Sequence, residues 1–207
     1  MPTNVYVDGF NLYYGCLRGS AYKWLDLAAL CRIMLPHDDI KRIRYFTARV
    51  SGRPPDREQP QRQDTYFRAL RTIPEVSIHL GHFLTHETWM PLAHPGPGGR
   101  TTVLVQKTEE KGSDVNLATY LLLDAAKGDC DTAVVISNDS DLKEPIALAQ
   151  SELGVPVGVL NPHPAKRRSR AIEPTFFKQI REPALRASQF SERLTDAQGS
   201  FQRPSGW

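Results

Sequence analysis

NVYVDGFNL, residues 4–12, is the stretch of this sequence that decides the predicted fold. It begins as an apolar run with Val5 and Val7 and stops at Asp8-Gly9, which is typical of a buried strand of a parallel sheet. Ligands of open α/β sheets bind outside the carboxyl ends of the strands. Asp8 therefore lies where a functional carboxylate is expected, although an Asp at this place is equally typical of a cap on the following helix.

The composition indicates one globular domain with a tail. A chain of 207 residues is long enough to bury a core. No apolar run approaches the length of a membrane span, and the first residues do not resemble a signal peptide. Cys16, Cys31 and Cys130 lack metal-ligand spacing, so we interpret them as reduced thiols. We therefore expect a cytoplasmic protein with no membrane partner.

The formal charge of +3 conceals an uneven distribution along the chain. Residues 41–71 carry nine Lys or Arg against three Asp or Glu, and residues 166–186 carry seven against two. These local charges of +6 and +5 leave −8 for the rest of the chain. Two basic patches beside an acidic remainder suggest a polyanionic substrate that meets a carboxylate site. Either patch alone is equally explained as a solvated face.

Hydrophobic periodicity predicts further strands that alternate with helices. The predicted strands cover residues 40–50, 76–84, 101–107, 132–137 and 155–160. The predicted helices cover residues 24–35 with Asp26 as N-cap, 61–73, 114–126 after a capping Ser113, 140–153 and 171–180. This alternation favours an α/β fold with a mainly parallel sheet and right-handed crossovers. We expect one domain over residues 1–182 and a polar, mobile tail over residues 183–207.

Carboxylates follow three of the predicted strands. Asp8 ends the first strand, Asp114 opens the helix after the sequence Lys-Gly-Ser, and Asp139 and Asp141 follow the strand at 132–137. Carboxylates at close range repel one another, and a hard divalent cation relieves this repulsion. The sequence therefore predicts a site for Mg²⁺ or Mn²⁺. Helix capping with dipole compensation explains one such Asp, but not all of them.

Three motifs give this sequence a resemblance to a known family. They are VDGFNL at residues 7–12, KGSDVNLA at 111–118 and ISNDSDL at 136–142. In order and spacing the chain resembles the NYN domain family, a branch of the PIN-like nucleases. The resemblance implies a three-layer, Rossmann-like fold with strand order 3-2-1-4-5. It also implies metal-dependent cleavage of RNA, single-stranded or structured.

The resemblance also implies roles for individual residues. Asp8, Asp114, Asp139 and Asp141 would form the acidic metal cluster, and Asn11 would assist as a polar group. Similar domains often carry a further Asp six residues after the one that matches Asp114. That position is Tyr120 here, and the next acidic residue is Asp124, so the choice between one ion and two stays open. Asn138 stands where Gly is frequent.

Several polar residues are candidates for binding the RNA substrate. Lys111 could neutralise a phosphate, and Ser137 and Asn138 lie between the strand and the second pair of carboxylates. Arginines of the first basic patch could contact the RNA backbone; they are Arg49, Arg53, Arg57 and Arg62. Such contacts give salt-dependent affinity with little sequence choice. A homodimer is a further possible partner state, because dimers are the commonest oligomers.

Other functions are less well supported by the sequence. His79, His82 and His86 suggest zinc, but residues three and seven apart on a strand do not share a face. Aspartate-based phosphatases need a second Asp where this chain has Phe10. A nicotinamide or flavin oxidoreductase would need a glycine-rich turn that is missing after the first strand, although Rossmann-like sheets host many functions. An inert nuclease fold that binds RNA or a protein stays open because of Tyr120.

Overall fold

A computed structural model describes residues 1–52, 56–95 and 99–207. They form an α/β fold in which helices cover both faces of a seven-stranded, mainly parallel sheet. The strands are β1 Pro2–Asp8, β2 Asp39–Ala48, β3 Val76–Pro91, β4 Thr102–Lys111, β5 Thr132–Ile136, β6 Val157–Asn161 and β7 Phe176–Gln179. The predicted fold class is confirmed.

The sheet has the order β4-β3-β2-β1-β5-β6-β7. This order differs in detail from the order 3-2-1-4-5 that the resemblance implies. The inner five strands, β3-β2-β1-β5-β6, match it once the antiparallel β4 is left out of the count, and β4 and β7 extend the two edges. Only β4 runs antiparallel to its neighbour, because it forms a long hairpin with β3. The strand expected at residues 76–84 is therefore one arm of this hairpin and continues to Pro91.

Strand β1 lies at the centre of the sheet because its side chains are buried on both faces. Val5, Tyr6 and Val7 are each 0% exposed, and β1 pairs with β2 on one side and β5 on the other. Successive side chains of a strand point to opposite faces. Val5 and Val7 accordingly join one hydrophobic core and Tyr6 joins the other. The carboxyl end of β1 is thereby fixed in the middle of the sheet.

The helices are α1 Gly9–Leu12, α2 Leu27–Met34, α3 Gln59–Leu70, α4 Ser113–Ala126, α5 Lys143–Ser151 and α6 Glu182–Ala187. Four helices, α2 to α5, follow predicted positions with shifted bounds, whereas α1 and α6 were not predicted. Asp26 caps α2 as predicted, since its carboxylate accepts a hydrogen bond from the amide of Ala29 at 2.9 Å. In the part of the chain that the structure describes, no helix is long and apolar enough to cross a membrane.

The helix predicted at residues 171–180 is wrong, because this segment contains strand β7. Phe176 packs against the core that contains Val5, while Phe177 packs against the core that contains Tyr6. Burial of two consecutive residues on opposite faces requires a strand rather than a helix. Parallel pairing with β6 satisfies the backbone of this segment.

Residues 183–207, expected as a mobile tail, are instead packed on the domain. After α6 they form a hairpin of β8 Arg193–Asp196 and β9 Gly199–Gln202. Phe190 and Phe201 pack on the buried ring of Trp24, with centroids 5.5 and 6.4 Å away. Arg68 of α3 binds the Asp196 carboxylate with two hydrogen bonds of 2.7 Å. The segment is polar in composition, but its few aromatic residues attach it to the core.

A buried ion pair attaches α4 to the sheet. The guanidinium of Arg44 on β2 donates to both carboxylate oxygens of Asp124 on α4, at 2.8 and 2.9 Å. The hydroxyl of Tyr6 on β1 donates to the same carboxylate at 2.9 Å. Tyr120 lies over the guanidinium, with 4.4 Å between Arg44 Cζ and the ring centroid. One carboxylate thus connects α4 to two neighbouring strands.

We expect Asp124→Asn to destabilise the protein strongly. The substitution keeps the shape of the side chain but leaves the charge of Arg44 buried without its partner, which costs roughly 3–5 kcal/mol. Urea unfolding measures the loss. The control is Arg42→Gln, which breaks the more exposed pair between Arg42 and Asp129 and should cost about 1 kcal/mol or less. Equal effects of the two substitutions would contradict a specific role for the buried pair.

Candidate functional site

Asp8 is a buried carboxylate at the carboxyl end of β1. Its side chain is the N-cap of α1, since one oxygen accepts a hydrogen bond from the amide of Asn11 at 2.9 Å. The other oxygen accepts a hydrogen bond from the hydroxyl of Ser137 at 2.9 Å. The residue is only 4% exposed. A helix cap and a carboxylate at the functional end of a strand were alternative predictions for Asp8. The structure shows that Asp8 caps α1 and also lies at the carboxyl end of β1.

The loop after β5 continues the same hydrogen-bond network. The amide of Asp139 donates to the Ser137 hydroxyl oxygen at 3.1 Å. The Asp139 carboxylate caps a short 3₁₀ turn at residues 140–142 by accepting from the amide of Asp141 at 3.0 Å. Because β5 lies beside β1 in the sheet, this loop leaves the sheet next to Asp8. Asp139 is half-buried and Asp141 is exposed.

Asn138 connects three parts of the chain. Its backbone amide donates to the side-chain oxygen of Asn11 at 2.9 Å. Its side chain donates to the carbonyl of Arg167 at 2.8 Å and accepts from the amide of Ser169, also at 2.8 Å. A glycine at this position could not make the last two bonds. The substitution of Asn for the frequent Gly therefore fixes the segment that follows β6 beside the loop after β5.

Asp114 reaches the site from the start of α4. Gly112 precedes the helix with a φ of +96°, a conformation that favours glycine. The predicted cap, Ser113, is wrong, because Ser113 is the first helical residue. Glu110 satisfies this helix start instead, since its carboxylate accepts from the amide and the hydroxyl of Ser113 at 3.2 and 2.7 Å. This role of Glu110 was not predicted from the sequence.

The charges of these carboxylates affect one another's pKa. Burial raises the pKa of Asp8 from 3.8 to about 7, and the charges of Asp114 and Asp139 add to this increase. The pKa of Asp114 is also raised, first by partial loss of hydration and then by the charges of Asp139, Glu110 and Asp141. We call Asp8, Asp114, Asp139 and Asp141 the acidic cluster.

The acidic cluster is not a preformed ligand shell. Within residues 1–52, 56–95 and 99–207, no three His, Cys, Asp or Glu side chains are arranged as ligands of one metal ion. The carboxylates offer the oxygen donors that Mg²⁺ and Mn²⁺ prefer. Their mutual repulsion is the condition that a cation relieves. In donor chemistry and charge the residues therefore fit such an ion, although their side chains are not arranged as one ligand set within the described residues.

The predicted substrate-binding residues of the first basic patch are largely engaged in ion pairs. Arg49 pairs with Asp64, and Arg62 pairs with Asp56 and, at 3.6 Å, with Glu58. Arg57 is exposed. Arg53 lies outside the described residues. The ammonium of Lys111 lies 3.4 Å from the carboxylate of Glu109, which partly neutralises the positive charge of Lys111.

A second group of cations lies beside the acidic cluster. Residues 166–170, with the sequence KRRSR, form the segment that Asn138 holds, and we call them the basic segment. Arg168 stacks on Phe177, with 3.7 Å from Cζ to the ring centroid. Lys166, Arg167 and Arg170 are exposed, and none of them is in an ion pair within the described part of the chain. The charge count of residues 166–186 was the only sign of this segment in the sequence.

Comparison with known proteins identifies the family. Residues 2–179 match the NYN domain. The chain belongs to the NYN domain family. The match covers β1 to β7 and includes every residue of the acidic cluster and the basic segment. The resemblance drawn from the three sequence motifs is therefore confirmed.

Two individual proteins are similar to this NYN chain. One is 6-hydroxy-3-succinoylpyridine 3-monooxygenase HspA of Pseudomonas putida (strain DSM 28022 / S16), which is 33% identical over 195 residues. That alignment covers 82% of this chain and 62% of the relative, so the chain spans less than two thirds of its length. The other is a crystal structure of a protein of unknown function from Vibrio parahaemolyticus RIMD 2210633. It has a TM-score of 0.58 and 16% identity and covers 87% of this chain and 93% of its own, which shows a shared fold.

The raised pKa of Asp8 predicts a specific pH dependence of stability. Between pH 3.8 and about 7 the folded protein keeps a proton on Asp8 that the unfolded chain has released, so stability falls as pH rises through this window. In chelator, the free energy of unfolding should lose roughly 2–3 kcal/mol from this group between pH 5 and pH 8. Asp8→Asn should remove that loss and raise the melting temperature at pH 8 by several degrees.

The matched control for this experiment is Asp131→Asn. Asp131 is an exposed carboxylate directly before β5, at the opposite end of the strand from Ser137. Its substitution should leave the pH dependence as in the wild type. Melting curves recorded from pH 5 to pH 8 measure both effects. A pH dependence in Asp8→Asn that is as steep as in the wild type would contradict the account of Asp8.

Proposed function

We propose that this NYN protein is a metal-dependent ribonuclease that hydrolyses RNA phosphodiester bonds at the acidic cluster. What supports this proposal is that carboxylates from three separate chain segments act on one another: the charges of Asp114 and Asp139 help to raise the pKa of the buried Asp8. A carboxylate that only caps a helix gains nothing from acidic neighbours, since their charges raise its pKa. An acidic cluster at strand ends is well suited to bind a cation, and the cation can then hold a phosphate that the carboxylates alone would repel.

The aspartates would hold Mg²⁺ or Mn²⁺, as one ion or two. A bound ion would lower the pKa of a water molecule and offset the negative charge of the reacting phosphate. The chain's own residues fix the arrangement around it. Asp8 is held by the Asn11 amide and the Ser137 hydroxyl, and the side chain of Asn11 is itself held by the Asn138 amide. Asn11 and Ser137 are therefore positioning residues in this proposal.

The RNA backbone would run over the basic segment. Lys166, Arg167 and Arg170 are exposed cations that Asn138 places next to the acidic cluster. Phosphates that contact them would lie close to the carboxylates. The arginines of the first basic patch are less available, because Arg49 and Arg62 already have carboxylate partners. This assigns the main backbone contacts to a different patch from the one named in the sequence analysis.

Loss of a single carboxylate should abolish cleavage without unfolding the protein. Asp8→Asn and Asp139→Asn should each reduce Mn²⁺-dependent RNA cleavage by at least about 100-fold, because the remaining oxygens lack the charge that holds a hard cation. Purified protein is incubated with single-stranded and structured RNAs, with Mn²⁺ or with chelator. Asp131→Asn is the control and should cleave like the wild type. Equal cleavage by wild type and Asp8→Asn would overturn the proposal.

The salt dependence of RNA binding tests the role of the basic segment. Replacing Lys166, Arg167 and Arg170 together by Gln should reduce the slope of log affinity against log salt by about 2, the value for three single-strand phosphate contacts. The comparison variant carries Arg49→Gln and Arg62→Gln. It should change the slope by less than about 1, since those cations are already paired. The reverse ranking would assign RNA binding to the first basic patch.

A second candidate function is oxygenation of a hydroxypyridine, which the relative from Pseudomonas putida favours. Its name describes a 3-monooxygenase of 6-hydroxy-3-succinoylpyridine, and 33% identity over 195 residues is substantial. Such a reaction consumes O₂ and two electrons from a reductant. The assay supplies that pyridine, O₂ and a reduced nicotinamide or flavin and follows oxygen uptake with loss of the pyridine. Turnover that survives Asp8→Asn would favour this function over hydrolysis, and its absence would exclude this substrate.

A further inference from the structure

A pocket opens beside Gly9 and Phe10, the two residues that follow Asp8. Its volume is about 470 Å³, which is in the usual range for small-molecule sites. The walls come from α1 and the turn after it, the carboxyl end of β2, α3 and residues 205–207. None of the four residues of the acidic cluster lines it. We call it the aromatic pocket.

Aromatic side chains dominate the walls of this pocket. They are Phe10, Tyr13, Tyr14, Tyr45, Tyr66 and Trp207. Tyr13 and Tyr14 contact each other edge to face with centroids 5.3 Å apart, and Tyr66 lies 5.7 Å from Trp207. Tyr45 and Tyr66 are buried at its inner end, whereas Tyr14 is 57% exposed. Such walls favour a planar ring, which can stack or make edge-to-face contacts.

The pocket also contains one cation without a counter-charge. Arg62 lines the pocket but is paired with Asp56. The ammonium of Lys23 also lines it and lies 3.4 Å from the carbonyl of Gly206. Across residues 1–52, 56–95 and 99–207, Lys23 has no carboxylate at ion-pair distance. An anionic group on the ligand would supply the missing charge.

Gly9 keeps the pocket close to Asp8. A Cβ atom at Gly9 would lie 2.8 Å from the Tyr45 hydroxyl and 2.7 Å from the carbonyl of Phe46. Only glycine therefore lets the chain turn directly from Asp8 over the ring of Tyr45. The two sites are close enough that the charge of Asp8, after burial, contributes to the raised pKa of Tyr45. A ligand in the pocket would lie next to the acidic cluster.

We propose that the aromatic pocket binds a planar aromatic ring that carries an anionic group, with the ring against the tyrosines and Trp207 and the anion at Lys23. Two sources have this chemistry: a nucleotide unit of an RNA strand, and a free aromatic carboxylate. The inference does not depend on the proposed hydrolysis, because the pocket shares no side chain with the acidic cluster. The aromatic pocket can therefore fail to bind the ligand while the acidic cluster cleaves RNA, or it can bind the ligand while the acidic cluster does not cleave.

Calorimetric titration of the full chain in chelator tests the pocket with three probes. Uridine 5′-monophosphate and 6-hydroxypyridine-3-carboxylate are anionic and aromatic, and uridine is the neutral comparison. We expect at least one anionic probe to bind, about tenfold or more above uridine, since a hydrogen bond to a charged partner contributes that factor. Binding of only the nucleotide identifies RNA as the source. Binding of only the carboxylate identifies a small aromatic acid.

Two pairs of variants locate the binding site. Lys23→Gln should lower the affinity for the anionic probe about tenfold and leave the affinity for uridine unchanged. The control is Lys127→Gln, since Lys127 is an exposed lysine at the end of α4, and it should change neither affinity. Tyr14→Ala should lower the affinity for every probe that binds to the wild type. Its control is Trp89→Ala on β3, because Trp89 is 63% exposed, similar to Tyr14 at 57%. Melting curves confirm that each variant is folded.

The proposal is overturned by either of two results. One is the absence of binding for both anionic probes at millimolar concentration. The other is binding that Tyr14→Ala and Lys23→Gln leave unchanged, which would place the ligand elsewhere. Cleavage of RNA by the same preparation is measured in parallel, so that a failure of the pocket is distinguished from a failure of the acidic cluster.

Discussion

An almost fully buried carboxylate at the end of a buried strand is the constraint on which this site depends. Strand β1 is buried on both faces, so it occupies the centre of the sheet and carries Asp8 with it. Two hydrogen bonds fix the carboxylate, but burial and acidic neighbours raise its pKa to about 7. The fold therefore holds Asp8 in a place where its charge is unfavourable until a cation or a proton compensates it.

The second requirement is that α4 delivers Asp114 to the same place, and the buried pair of Arg44 and Asp124 achieves this. The pair fixes the helix against β1 and β2 through Tyr6 and Arg44. Tyr120 covers the guanidinium of that pair. Position 120, where similar domains often carry a further Asp, therefore has a different role in this chain. The ring of Tyr120 covers the ion pair that orients α4. Asp114 and Glu110 supply the carboxylates on this side.

Much of the fold could be predicted because it depends on local patterns. The apolar run before Asp8, the motif around Asp114 and the pair Asp139 and Asp141 carry their own strand and helix signals. Strand β7 could not be predicted, since residues 176–179 have no clear alternation and are strand only because they pair with β6. The packed segment 183–207 was missed for a similar reason: its few aromatic residues find their partner, Trp24, far away in sequence.

Within the candidate site, residue types were easier to predict than partners. The sequence shows that Arg49 and Arg62 are basic, but not that each lies beside a carboxylate. It shows a charge excess near residue 168, but not that Asn138 holds this segment next to the acidic cluster. The aromatic pocket is likewise assembled from α1, β2, α3 and residues 205–207. Contacts between distant segments decide which charges are available.

Direct measurement of Mn²⁺ binding tests the central claim, that the acidic cluster is a cation site. The electron paramagnetic resonance signal of free Mn²⁺ is recorded while the ion is titrated into wild type, Asp8→Asn, Asp139→Asn and Asp131→Asn. The account predicts that wild type and Asp131→Asn bind one or two ions with equal affinity, and that the other two variants bind at least about tenfold more weakly. Undiminished binding by Asp8→Asn and Asp139→Asn, or no binding by the wild type, would contradict it.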